Sequence, residues 1–305
     1  MNYTLHQLQV FLEIVNKGSI TKASEALFLT QPAVSIQLKK FQDQFPLPLT
    51  EVVGRKLYVT DFGQEIAAAA RRIVNEMAAI DYKTSQYQGK LAGKLSISVV
   101  STGKYVMPYY LSDFVNAHPG IDFTMDVTNK LKVVEDLEKN KVDFALVSVL
   151  PDHLQLDRLP LLPNRLHLVG APSREAQRTG KKDLIFSQQP LLYRESGSAT
   201  RNAMESFIQG KNLPVSKKIE LTSNEALKQA VIAGLGYSIM PMIGIKNAVD
   251  MGDIVLIPYK GLPIKTQWNL VWLAKKNLSP VAEAFVRHLE SEKDRIAHRY
   301  FDWAQ

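Results

Sequence analysis

Residues 18–41 read GSITKASEALFLTQPAVSIQLKKF. Gly18 ends the amphipathic pattern that precedes it, and Ser19 is placed to cap a second helix. Thr30 is the next capping residue, and Pro32 stands in the first turn of a third helix, where its missing N–H costs nothing. The stretch therefore predicts two short helices joined by a tight turn, which is a helix-turn-helix arrangement.

The segments on either side complete a small helical head. Apolar spacings of three and four predict a first helix over Leu5–Val15, and the third helix continues to Phe41. A small hairpin is expected around Leu57–Thr60. Residues 61–87 contain no proline and carry an alanine-rich face, so they predict a long helix that packs against a partner helix. Gly89–Gly93 is then a linker.

Beyond the linker, short apolar runs alternate with helical patterns in two successive series. This alternation predicts a parallel sheet built from βαβ units, arranged as two lobes. A strand over Trp268–Leu273 and a terminal helix over Pro280–Ser291 complete the expected α/β body.

The composition excludes several kinds of protein. The 305 residues include no cysteine, which rules out disulfides, thiolate metal sites and cysteine nucleophiles. No apolar run approaches the roughly 20 residues that span a bilayer, and the N-terminus lacks a secretory signal, so we expect a cytoplasmic protein. The net charge of +7 is spread along the chain and does not by itself predict a DNA-binding arm.

The sequence carries none of the usual catalytic signatures. The H-E-x-x-H, Walker lysine, G-x-S-x-G and G-x-G-x-x-G motifs are absent, and the six histidines show no metal-ligand spacing. We therefore expect no enzymatic activity, no cofactor and no metal.

The start of the third helix carries side chains that can read DNA. Gln31, Ser35 and Gln37 are hydrogen-bonding groups, and glutamine can pair bidentately with adenine. The backbone N–H groups behind Thr30 suit a phosphate. An equal alternative from spacing alone is that Thr30 and Ser19 are ordinary helix caps and the nearby lysines a solvated face. The cations available for phosphate contacts are Lys39, Lys40, Arg55 and Lys56.

Small hydroxyl and amide side chains follow several strands of the body. Because carboxyl ends of strands meet at a cleft between two lobes, and helix N-termini favour anions, these groups predict a site for a carboxylate or phosphate. The open alternative is that Ser198, Thr200 and Ser223 only cap helices. The predicted effector-binding residues are Ser101, Thr102, Thr128, Asn129, Ser148, Ser196, Gly197, Ser198, Thr200 and Ser223.

The stretch Phe11–Gly63 resembles the N-terminal domain of LysR-type transcriptional regulators, above all at residues 18–27, 30–35 and 57–63. The similarity continues over essentially the whole chain. It implies an α+β multidomain protein: a winged helix-turn-helix DNA-binding domain over 1–60, a linker and dimerisation helix over 61–90, and an effector-binding domain over 91–305. Lobe I of that domain takes about 91–163 and 267–305, and lobe II about 164–266.

The resemblance also assigns DNA contacts. It places Ile36 and Val52 where arginine is common in the family, so the base preference of relatives does not carry over, and phosphate affinity is expected to be modest. Ile36 could touch a thymine methyl or simply pack. The predicted DNA-binding residues are Thr30, Gln31, Pro32, Ser35, Ile36, Lys39, Arg55 and Lys56.

The body is similar to the effector domain that these regulators share with type 2 periplasmic solute-binding proteins. Within the body, the similarity is greatest to regulators of carbon-fixation (Rubisco) operons. The segments that carry it are Glu195–Arg201, Ser223–Val231, Gly234–Gly236 and Gly261–Ile264. This similarity implies a homodimer or homotetramer that binds double-stranded promoter DNA and senses a small anionic effector. The alternative is a solute-binding or transport-associated protein on the same two-lobe fold, against which the helical head and the absent signal peptide count.

Overall fold

The structure, a computed structural model, describes residues 3–54, 56–87, 91–172 and 184–304. The chain forms two compact units, Met1–Gly93 and Lys94–Gln305. The elements of the first unit are α1 (Leu5–Lys17), α2 (Ile20–Ala26), α3 (Gln31–Gln42), β1 (Thr50–Val53), β2 (Lys56–Val59) and α4 (Asp61–Tyr87).

Capping residues set the ends of the first three helices. Gly18 ends α1 in the left-handed conformation at φ +59°. The Ser19 and Thr30 hydroxyls accept hydrogen bonds from the Lys22 and Ala33 amides, both at 3.4 Å, and so begin α2 and α3. The predicted helix-turn-helix arrangement is confirmed.

The core of the first unit is aromatic and aliphatic. Phe11 of α1 and Phe41 of α3 are fully buried with ring centroids 5.2 Å apart. β1 and β2 pair antiparallel as the expected hairpin. Ala67 and Ala70 of α4 are buried in this core, so part of the alanine-rich face packs against its own unit rather than a partner helix. Residues 89 and 90 of the predicted linker lie outside the described residues, and its last two residues already belong to a strand that begins at Ala92.

The second unit contains a sheet that runs through both lobes. The elements of this unit are β3 (Ala92–Val100), α5 (Met107–Ala117), β4 (Gly120–Thr128), α6 (Lys130–Glu138), β5 (Phe144–Val147), β6 (Leu156–Gly170), α7 (Leu184–Gln188), β7 (Pro190–Arg194), α8 (Ala199–Gly210), β8 (Lys217–Leu221), α9 (Asn224–Ile232), β9 (Ser238–Pro241), α10 (Lys246–Asp250), β10 (Val255–Leu256), β11 (Ile264–Leu273) and α11 (Pro280–Phe301). The strands of the sheet follow the order β10-β6-β11-β5-β3-β4, β9 also pairs with β6, and β7 and β8 form a separate pair.

The strand directions correct one part of the sequence prediction. β3 pairs with β5, and β7 with β8, in parallel as expected. The strands β6, β9, β10 and β11 pair antiparallel, which a purely βαβ body would not contain. β6 and β11 pair along their length and connect lobe I (β3–β5, α5, α6, α11) with lobe II (β7–β10, α7–α10).

Candidate DNA-binding and effector-binding sites

Five of the predicted DNA-binding residues lie on α3, on the face opposite its buried residues: Gln31, Pro32, Ser35, Ile36 and Lys39. Val34, Leu38 and Phe41 point into the core, because they repeat at helical spacing on the opposite face. Ile36 is 53% exposed and therefore does not pack in the core of its unit. Gln31, Pro32 and Lys39 are exposed, and Ser35 is half-buried.

The β1–β2 hairpin exposes two apolar side chains. Val52 and Val53 are 70% and 59% exposed, and Lys56 is exposed at the start of β2. Arg55 lies outside the described residues. Thr30 caps α3 and is also exposed, so its capping role leaves it accessible to a phosphate.

The effector-site prediction converges on one cleft between lobe I and lobe II. Ser101 and Thr102 follow β3, Asn129 precedes α6, and Ser198 and Thr200 flank the start of α8. All five line the same small cavity. Thr102 and Ser198 are only 6% and 5% exposed, so their side chains are held in place around it.

Two serines that begin helices differ in what their hydroxyls do. The Ser223 hydroxyl accepts a hydrogen bond from the Ala226 amide at 3.0 Å, and Ser223 is not among the residues that line the cleft. Ser198 holds the corresponding position before α8 but makes no side-chain capping bond. Ser223 therefore caps α9 in this structure, whereas the Ser198 hydroxyl makes no capping bond.

The cleft also contains charged groups that the sequence prediction missed. Lys130 lines it from lobe I, and Arg194 and Glu195 line it from lobe II. The Arg194 guanidinium donates to both Glu195 carboxylate oxygens at 2.8 Å, so these two charges offset each other. Lys130 then adds net positive charge beside the N-terminus of α8, which favours an anion. The sequence offered a signal for these three cleft residues, because Lys130 directly follows Asn129, and Arg194 and Glu195 lie at the end of β7.

Arg201 fixes the turn that carries Ser198. Its guanidinium donates to the Arg194 carbonyl oxygen at 3.1 Å and to the Glu205 and Glu220 carboxylates. The hydrogen bond to Glu220 is the main cause that raises the pKa of Arg201. These hydrogen bonds connect α8 to β7 and β8, and they stabilise the turn before α8 that carries Ser198.

The cleft between the two lobes is narrow. Its volume is about 10 Å³, roughly the space of one water molecule. A Cβ atom added at Gly197, which has a φ of +83°, would lie 2.7 Å from the Leu131 side chain of lobe I. The lobes also meet where Tyr105 Oη lies 3.5 Å from Glu225 Oε2. Ligand entry therefore requires side chains or lobes to move.

The other predicted effector residues do not line this cleft. Gly197 approaches Leu131 across it, and Thr128 immediately precedes Asn129. Ser148 follows β5, and Ser196 is exposed in the turn before α8. The structure brings five of the ten predicted residues to the cavity wall.

The described residues contain no group of three potential metal ligands. None of their helices has the length and apolar character required to cross a membrane.

Comparison with known proteins decides the family. A family model for the lysR-type bacterial regulatory helix-turn-helix protein matches residues 5–64, and one for the LysR substrate binding domain matches residues 88–294. The chain belongs to the LysR family of transcriptional regulators. Its relatives are named regulators, which confirms the expectation that this LysR regulator is not an enzyme.

The relatives of this LysR regulator confirm the subgroup expected from the sequence. It is 34% identical to the HTH-type transcriptional activator CmpR of Synechocystis sp. over 97% of this chain and 98% of that protein. It is 33% identical to a RuBisCO operon transcriptional regulator of Allochromatium vinosum, with 97% and 98% covered.

A solved structure supports the fold of the second unit. The regulatory domain of CcmR from Synechocystis PCC6803, in complex with 2-PG, is 28% identical and superposes with a TM-score of 0.61. The match covers 66% of this chain and 97% of that domain.

Proposed function

We propose that this LysR regulator binds promoter DNA through α3 and the β1–β2 hairpin, and that a small anionic metabolite bound between its lobes controls that binding. The observation that carries the proposal is the cleft itself. Hydroxyl groups from both lobes, the start of α8 and the net charge of Lys130 converge there. An anion accepts hydrogen bonds from all of these groups.

The complex of the CcmR regulatory domain with 2-PG supports the choice of an anion. We extend that chemistry to this chain and assign the contacts to Ser101, Thr102, Asn129, Ser198 and Thr200. The other residues predicted from the sequence remain predictions. We expect them to contact the effector only if the lobes rearrange: Thr128, Ser148, Ser196, Gly197 and Ser223.

On the DNA side, the polar groups of α3 are proposed to enter the major groove. Gln31 and Ser35 are suited to base edges, and Lys39 and Lys56 to phosphates. The remaining DNA contacts proposed from the sequence are Thr30, Pro32, Ile36 and Arg55.

The domain division and the assembly follow the family pattern. We assign DNA binding to residues 1–60, dimerisation to 61–90 and effector binding to 91–305, in a homodimer or homotetramer. Ile73 of α4 is 42% exposed and gives a second copy an apolar contact. Because transcription takes place where bacterial DNA lies, we place the protein in the cytoplasm.

Control of DNA binding requires the effector to distinguish two arrangements of the protein. A ligand with equal affinity for both arrangements shifts neither population. Opening and closing of the cleft supply two such arrangements, and we propose that they change the spacing of paired DNA-binding units.

Thr102→Val tests the site because it removes one buried hydroxyl and preserves the shape of the side chain. We expect 2-PG to bind the variant about tenfold more weakly, since a hydrogen bond to a charged group contributes about 1.5–3 kcal/mol. Isothermal titration calorimetry measures the affinity, and fluorescence anisotropy with a promoter fragment should show unchanged DNA binding without ligand.

Thr124→Val is the matched control, because Thr124 is an exposed residue of β4 that does not line the cleft. Equal 2-PG affinity in the two variants and the unmodified protein would show that the site assignment is wrong.

A further inference from the structure

The turn between α2 and α3 exposes a phenylalanine to solvent. Phe28 is 95% exposed, the highest value among the exposed large apolar residues that the structure describes. The residues on either side of it, Leu27 and Leu29, both pack against the core of the first unit. Burial in this unit therefore explains the two leucines and does not explain the phenylalanine between them.

The backbone of Phe28 lies in the left-handed region, at φ +54°. The end of α2 requires this conformation, because the Phe28 amide donates to the Glu25 carbonyl oxygen at 3.2 Å and the Leu29 amide donates to the Ser24 carbonyl oxygen at 2.9 Å. Glycine, and after it asparagine, is the usual residue at such a position, since the Cβ atom of a bulky residue is strained there. The geometry of the turn therefore disfavours a phenylalanine as well.

Phe28 lies close to the start of the surface assigned to DNA. Thr30 caps α3 and is exposed, and Gln31 begins the helix whose outer face is assigned to base edges. Two residues span at most about 7 Å of chain, so the exposed ring lies beside any nucleotide whose phosphate is bound at Thr30. A partner for Phe28 is therefore present whenever α3 is in the groove.

The chemistry of the ring limits which part of a nucleotide it can contact. Phenylalanine has no charge and no hydrogen-bonding group, so it pairs with neither a phosphate nor a polar base edge. The apolar surfaces of a duplex at this place are the C–H groups of the deoxyribose and the thymine methyl group in the major groove. Because Phe28 precedes Thr30 and the base-reading residues follow it, the position favours the sugar of the backbone.

We propose that Phe28 is a DNA-contacting residue whose ring packs on the deoxyribose next to the phosphate that is bound at the start of α3. This inference rests on the proposed binding of DNA through α3. Contact with the sugar removes the ring from water and offsets the strain of the turn. It adds affinity without neutralising a phosphate, so its contribution does not depend on the salt concentration.

Phe28→Asn tests the contact, because asparagine tolerates the left-handed conformation and the variant should be at least as stable to unfolding as the unmodified protein. Fluorescence anisotropy with a promoter fragment should show at least about fivefold weaker binding, which corresponds to roughly 40 Å² of buried ring surface. The plot of log K against log salt should keep its slope. Phe28→Tyr retains the ring and should bind almost as tightly as the unmodified protein.

Two further variants separate this contact from the DNA binding on which it rests. Leu47→Asn is the matched control, because Leu47 is also an exposed apolar residue, at 54%, and follows the opposite end of α3. It should leave the affinity unchanged. Lys39→Gln should weaken binding and lower the salt slope by about one unit, as the loss of one phosphate contact predicts.

Two more measurements identify what the ring touches. A promoter fragment with uracil in place of thymine lacks the methyl groups and keeps the sugars, so Phe28→Asn should lose the same factor in affinity on it. Size-exclusion chromatography with light scattering should give the same oligomeric state for Phe28→Asn and the unmodified protein.

Several results would overturn the proposal. Unchanged affinity in Phe28→Asn, with weaker binding in Lys39→Gln, would show that α3 binds DNA without this ring. An equal loss in Leu47→Asn would show that the effect is not specific to the turn. No loss on the uracil fragment would place the ring against a thymine methyl group, and a changed oligomeric state would assign it to a subunit contact. Failure of the unmodified protein to bind the fragment would overturn the proposed DNA binding together with this inference.

Discussion

Gly63 illustrates how a single residue constrains the DNA-binding unit. A Cβ atom at this position would lie 2.0 Å from the Leu49 carbonyl oxygen and 2.9 Å from a Val59 methyl group. The Gly63 amide also donates to Thr60 Oγ1 at 2.9 Å, which ties the start of α4 to the hairpin. A backbone oxygen yields less than a flexible side chain, so substitution forces the hairpin away from α4.

Gly63→Ala is therefore expected to lower the free energy of unfolding of the first unit by about 3 kcal/mol, the upper range for overpacking. All three tryptophans lie in the second unit, so circular dichroism should detect the loss while tryptophan fluorescence reports the other unit. Gly210→Ala, at the end of α8 with nothing within 4 Å, is the control. Equal unfolding midpoints for the two variants would contradict this account.

The roles of individual side chains were only partly predictable from the sequence. Ser198 and Ser223 both precede a helix, and their local sequences give equal support to capping and to ligand binding. The structure separates them because only Ser223 makes the capping bond. The pairing of Arg194 with Glu195 also depends on the burial of both side chains, which sequence spacing does not specify.

At the scale of elements, α3 was the easiest to predict from the sequence. Its exposed face allows a test of DNA binding. Ile36→Arg places a cation on this exposed face, where family members commonly have arginine. We expect tighter binding to promoter and unrelated DNA, and a salt dependence steeper by about one unit in the plot of log K against log salt, as one added phosphate contact predicts.

Fluorescence anisotropy across a series of KCl concentrations measures this slope. Met251→Arg, at a 78% exposed apolar position of the effector-binding unit, adds the same single charge and is the control. An unchanged slope in Ile36→Arg, or the same change in both variants, would show that α3 does not face phosphates.

The strand β6 shows why some elements were missed. The apolar run Leu166–Gly170 indicates a strand there, whereas Pro160 and Pro163 further upstream are residues that a central strand rarely contains. In the structure the strand begins at Leu156, and a register shift opposite Trp268 and Asn269 accommodates the prolines. Such accommodation depends on the partner strand β11, which lies about a hundred residues later in the chain. The terminal helix was likewise predicted too short, and it continues to Phe301.

At the scale of the effector-binding unit, closure of the lobes depends on the absence of a side chain at Gly197. Gly197→Ala brings a methyl group against Leu131 and should hold the cleft more open, which weakens 2-PG binding. Leu131→Ala in the same chain removes that contact and should restore part of the affinity. The comparison forms a double-mutant cycle, measured by isothermal titration calorimetry.

The positive φ of Gly197 adds backbone strain that Leu131→Ala does not relieve, so only partial recovery is expected. If the two substitutions have additive effects on affinity, the contact across the cleft does not govern closure.

The central claim is that a promoter-binding unit responds to an anion bound between two lobes of the same chain. Footprinting of the DNA upstream of its own gene, with and without 2-PG, tests this claim most directly. The account predicts a dyad-related footprint that weakens at least about tenfold between 50 and 200 mM salt. Its pattern should change with 2-PG, and Thr102→Val should need about tenfold more 2-PG than the unmodified protein for the same change. A footprint that is absent at low salt, or that changes at the same 2-PG concentration in both proteins, would contradict it.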